Sequence, residues 1–116
     1  MNNALANFTA PHLHGTSSPI IVSRAEFESG KAALMAWCAA DLNDQVTFVL
    51  NTDDGKSYEK IVNVSPGGAS SGKVGSKFNS ADDWQLIGQQ VTTYFTVSRN
   101  SVPLGRSETF RFQVLK

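Results

Sequence analysis

Residues 66–75, PGGASSGKVG, place Gly67 four residues before Gly72-Lys73. This is the spacing of a phosphate-binding loop, whose glycine-rich backbone wraps the phosphates while the lysine meets their charge. The pattern asks next for a Ser or Thr to hold magnesium, and Val74 stands there. It also asks for a following helix with its N-terminus facing the phosphates. KVGSKFNSADD, with Gly75 and Asn79, is a poor helix former. The stretch therefore reads as a flexible connection between two strands.

Other residue types invite other chemistry. His12 and His14 alternate, so an extended backbone projects both to one face, where two imidazoles can begin a metal site. Two ligands do not close one; Asp41, Asp44 or a second subunit's histidines would have to complete it. The plainer reading is a polar segment lying against a partner. Asp53-Asp54 and Asp82-Asp83 are acidic enough for calcium, but calcium needs several convergent oxygens. Asp54-Gly55 suits a tight turn, and Asp82-Asp83 suits a helix start capped by Ser80. Cys38, inside AALMAWCAA, reads as a small buried hydrophobe, and no G-x-S-x-G elbow occurs. These readings lead to no enzyme, no cofactor and no metal. Trp84, beside Asp82, Asp83 and Gln85, is the best candidate for an aromatic sugar platform. The competing role for Trp84 is core filler.

These residues must be positioned by strands. QVTTYFTVSR sets Val91, Thr93, Phe95 and Val97 on one face, and ETFRFQVLK does the same with Phe110, Phe112 and Val114. NSVPLGRS between them reads as a polar turn, so the pair is expected as a C-terminal hairpin. QVTFVLN aligns Val46, Phe48 and Leu50; TDDGKS turns; YEKIVNV returns. KVGSKFN is a further strand. EFESGKAALMAWCAADLND suits a helix by composition, yet as a strand it sets Leu34, Ala36 and Cys38 against Met35 and Trp37. The strand is preferred because strands surround it.

The chain has 116 residues, enough for one domain, and one cysteine, which leaves its stability to the core alone. Ten Lys+Arg balance ten Asp+Glu. That balance argues against nucleic acid and anionic membranes as partners. No apolar run nears the roughly 20 residues of a membrane span, and MNNALANFTAPHLHG lacks the features of a signal peptide. Residues 1–18 are polar, aperiodic and punctuated by Pro and Gly, so they read as an extended N-terminal arm. Such an arm is ordered only by contacts on its own domain or a neighbour.

LIGQQVTTYFTVSRNSVPLGRSETFRFQV resembles the end of bacterial Ig-like repeat domains, which occur in tandem in large surface proteins and also decorate phage virions. The shared pattern falls on Gly88, Val91, Tyr94, Thr96, Ser98, Ser107, Phe112 and Val114, with its V-x-R step offset by one at Val97-Ser98-Arg99. Upstream, GKAALMAWCAADLNDQVTFVLN resembles the family's small-residue strand, polar turn and strand. The resemblance covers residues 19 to 115; the inter-sheet cysteine pair of antibody domains is absent. It implies an all-β fold, a single immunoglobulin-like β-sandwich of about seven or eight antiparallel strands over 19–116. It also implies a binding or spacer role. The expectation is a virion accessory protein such as a capsid decoration protein, made in the host cytoplasm. Its arm would contact protein subunits, or copies of itself, through Leu5, Phe8, His12, Leu13 and His14. The alternative is a carbohydrate- or surface-binding adhesin module on a bacterial surface, using Trp84, Asp82, Asp83 and Gln85.

Overall fold

The computed structural model describes residues 6–38, 40–79 and 81–116. Among them ten strands, two short helices and one 3₁₀ turn follow one another, so the protein is mostly β.

The period-2 segments form the frame. β5 (Gln45–Thr52) pairs antiparallel with β6 (Ser57–Asn63) on one side and β8 (Gln90–Arg99) on the other. The far edge of β8 is shared by β10 (Phe110–Val114) along its first half and β9 (Val102–Ser107) along its second. A second sheet has three strands: β2 (His12–His14), β4 (Ala33–Trp37) and β7 (Lys73–Lys77), with β4 central. Val46, Phe48, Leu50, Val91, Phe95, Val97, Phe112 and Val114 from the large sheet meet Leu13, Leu34, Ala36 and Val74 from the small one in a single buried cluster. Alternation explains this: each strand gives one face to the core and one to water.

The segment expected as an arm joins both sheets. β1 (Ala6–Phe8) runs parallel to β9, and β2 pairs antiparallel with β4. β3 (Ile21–Val22) then runs parallel to β10. The strands are therefore not all antiparallel. The N-terminal strands lie beside C-terminal strands running in the same direction, and nearly the whole domain serves as the crossover that parallel pairing requires.

Three other expectations need correction. The stretch EFESGKAALMAW is not strand throughout: α1 (Arg24–Ser29) precedes β4. Ser23 and Glu26 form a reciprocal capping box, and Gly30, at φ 74°, ends the helix and frees β4 to begin. PGGASSGKVG is not a loose loop. Ser65 caps α2 (Pro66–Ser71), Pro66 opens it, and Gly72 ends it at φ 72°. NSVPLGRS is not merely a turn. Asn100 and Ser101 both hold positive φ, the geometry of a two-residue hairpin turn, and the chain returns as β9. Pro103 is tolerated because the β8–β9 ladder is interrupted beside it: Val97 pairs with Gly105 and Ser98 with Pro103, leaving Leu104 as the extra residue. The 3₁₀ turn Ala81–Leu86 takes the place expected for a helical turn; its proposed cap, Ser80, lies outside the described residues.

Two carboxylates fasten the loops. Asp44 is buried and accepts from Arg99 Nε (2.8 Å) and Nη2 (2.9 Å) and from the Asp41 backbone N–H (2.9 Å). The Arg99 hydrogen bonds, opposed by desolvation and helped by the Asp41 amide, hold its carboxyl below the usual aspartate range. Asp83 is also buried and accepts from Tyr58 Oη (2.7 Å) and Lys60 Nζ (2.8 and 2.9 Å). Burial, then the bond to Asp83, pushes the Tyr58 phenol well above its ordinary value.

Candidate functional site

The outward face of the three-stranded sheet gathers residues from three distant parts of the chain. In register, Trp37 stands opposite Lys73, Met35 lies between His12 and Gly75, and Ala33 lies between His14 and Lys77. Since Leu13, Leu34, Ala36 and Val74 point into the core, these alternating neighbours must point out. Gly75 has a steric reason to be glycine. A Cβ there would lie 2.9–3.0 Å from the Met35 Cε and Sδ, so its absence lets the thioether cross the sheet.

Trp37 is the prominent group. The residue is 58% exposed. The indole Nε1–H donates to His12 Nε2 at 3.1 Å, and the two rings meet edge to face at 5.8 Å. Lys73 Nζ sits 5.2 Å from the ring centroid, within cation–π range. An acceptor Nε2 must be unprotonated. Partial burial, then the charges of His14 and Lys73, lower the His12 pKa and so keep that nitrogen available.

The charge of this face differs from that of the whole chain. β2, β4 and β7 carry no Asp or Glu. Arg24, Lys56, Lys60, Arg99 and Arg111 each pair with a carboxylate. Among the described residues Lys31, Lys73, Lys77, Arg106 and Lys116 pair with none, and of these Lys73 and Lys77, both exposed, stand together on β7. The arrangement offers a stacking surface flanked by uncompensated positive charge. Sequence reading missed it because net charge is zero and the cations form no run. The usable signal was the period of KVGSK, which aligns both lysines on one face.

The residues singled out from sequence are dispersed. Leu5 lies outside the described residues. Phe8 packs on Phe95 at 5.7 Å and Leu13 is buried, so both serve the domain's own core. His12 and His14 share the outward face. Among the described residues no cluster of three or more His, Cys, Asp or Glu forms there or elsewhere. The sugar cluster is split: Trp84 is exposed while Asp83 turns inward to Tyr58 and Lys60, and Gln85 Nε2 donates to the Asp82 carbonyl at 2.9 Å. Trp84 instead walls a cavity of about 290 Å³ with Phe27, Glu28, Gly30, Phe78 and Asn79. Lys73, the lysine of the phosphate-loop pattern, rests over Trp37, with Gly67 and Gly68 inside α2. Asp53 pairs with Arg111, and Asp54 accepts from Thr52 Oγ1 within the hairpin turn. Cys38 is buried, and desolvation followed by the Asp44 charge raises its thiol pKa. Among the described residues no helix is long and apolar enough to cross a membrane.

Comparison with protein-family models, with curated proteins and with solved structures finds no match to the chain.

Proposed function

We propose that the chain is a non-enzymatic binding module built as an immunoglobulin-like β-sandwich, related in kind to the bacterial Ig-like repeat domains. Strand order supports this reading. One sheet runs β2-β4-β7, and the other carries β3-β10-β8-β5-β6. An Ig sandwich whose first strand is divided between the sheets, and whose larger sheet has gained an extra edge strand, would have this order. β1 and β9 are additions beside β8.

The single observation that carries a binding role is Trp37, a large aromatic held in place by His12 and Lys73 yet left mostly in water. Aromatic side chains of this kind dominate recognition surfaces because they give much contact area for little entropy. The setting we propose is a virion, with the protein as an accessory or capsid decoration subunit; the alternative is a bacterial surface. In both, contact passes through the face that carries His12, His14 and Trp37. The described part of the arm therefore contributes by completing that face.

Occupancy on the particle or cell surface that carries the protein tests this. Trp37→Ala is expected to fall to background while Trp84→Ala binds normally. Unchanged occupancy of Trp37→Ala would remove the proposal.

A further inference from the structure

We propose that the outward face of β2, β4 and β7 binds a carboxylated glycan, with one sugar ring stacked on the part of Trp37 that Lys73 leaves in water and the glycan's carboxylates drawn to Lys73 and Lys77. The inference rests on the binding-module reading and names the ligand class for the same face.

Three features select the class. The first is charge complementarity: among the described residues two exposed lysines, one of them over the Trp37 ring, have no carboxylate partner and stand on a strand without Asp or Glu, which calls for an anion. The second is spacing. Lys73 and Lys77 are four residues apart on one strand, about 13 Å at the usual rise per residue. A nucleic-acid strand carries a phosphate every ~3.4 Å along a duplex axis, so most of its charges would go unmatched here. A chain alternating uronate and neutral sugars places its carboxylates two rings apart and leaves a neutral ring between them. The third is the floor. Between the lysines Gly75 has no side chain and the Met35 thioether lies across it, which gives an apolar floor beside the indole. The C–H face of a pyranose suits indole, whereas an acidic peptide has no such flat apolar face. His14, exposed at the far row, adds a hydrogen-bonding group.

The experiment uses the full chain carrying Trp84→Phe, which leaves Trp37 as the only tryptophan. The probes are a hexasaccharide of alternating glucuronate and N-acetylglucosamine, a neutral N-acetylglucosamine hexamer, hexaglutamate and hexathymidylate. The acidic hexasaccharide is expected to change Trp37 fluorescence saturably and to be released by salt. Calorimetry should show about thirtyfold weaker binding in Trp37→Ala, the scale of an aromatic hot spot. The exposed pair Lys73→Gln/Lys77→Gln should weaken it about tenfold without altering the fold. Equal binding of the neutral hexamer would overturn the charge argument. Tighter binding of hexaglutamate or hexathymidylate would overturn the glycan class, and no binding of any probe would overturn the inference outright. If no glycan binds yet Trp37→Ala still loses its particle, only this inference fails. If Trp37→Ala keeps its particle, the binding-module reading fails.

Discussion

Trp37 and Trp84 are almost equally exposed, at 58% and 55%, yet they belong to different parts of the molecule's design. Trp84 ends an aromatic ladder. It meets Phe27 at 6.3 Å, Phe27 stacks on Phe78 at 5.8 Å, and Phe78 meets Phe112 at 5.8 Å deep in the core. The Arg24 guanidinium lies 5.8 Å from its ring, and the adjacent Asp83 anchors the turn to β6. Trp37 stands on a strand and, among the described residues, stacks with no other large aromatic; its partners are a histidine and a lysine. Exposure alone therefore does not identify a binding residue. What a half-buried ring leans on tells whether it serves the core or the surface.

The largest break in this comparison should come from beneath Trp84. Lys60→Met removes the cation from a buried carboxylate and is expected to cost about 3–5 kcal/mol in denaturant unfolding. Lys60→Met/Asp83→Leu should recover much of that loss, since a well-packed apolar pair can replace a buried ion pair. If the single variant unfolds like wild type, the anchor assigned to the Trp84 turn is wrong. Trp84→Ala comes next. It should lower stability by about 1–2 kcal/mol, less than the ~3–5 of a fully buried aromatic, because half the ring is already in water.

On the Trp37 side, acid should act through Asp44. Asp44 closes the loop that follows β4, and its carboxyl is held below its ordinary value by Arg99. Its folded pKa lies below its unfolded one, so its stabilisation is present above about pH 4 and fades as pH falls through the folded value. Asp44→Asn should flatten the acid limb of a stability–pH curve; an unchanged limb would assign acid sensitivity elsewhere. The smallest effect belongs to Trp37→Ala, whose stability should stay within about 0.5 kcal/mol of wild type, as for a surface substitution. A loss as large as that of Trp84→Ala would mean that both tryptophans serve the core.

Much of the frame could be read from alternation. Val46, Phe48 and Leu50, like Val91, Phe95 and Val97, turn inward as their period predicts, and so do Leu34 and Ala36. Local chemistry that competes with period was harder to read. The Ser23–Glu26 box and Gly30 cut a helix out of a stretch that also suits a strand, and Ser101 forms a hairpin turn where glycine would have announced one. The candidate site was the least visible part. His12, Trp37 and Lys73 meet only through strand register, and neighbours in sequence, Asp83 and Trp84, separate because the turn sends one inward and one outward. A net charge of zero concealed a face where, among the described residues, the lysines have no carboxylate partner.

That face can be probed without knowing its ligand. In the Trp84→Phe protein, Trp37 fluorescence is quenched by iodide and by caesium at matched ionic strength, each relative to free tryptophan amide. Unpaired Lys73 and Lys77 should concentrate the anion, so iodide quenches Trp37 preferentially, and Lys73→Gln/Lys77→Gln abolishes the preference. Equal quenching by the two ions, or a preference for caesium, would contradict the account.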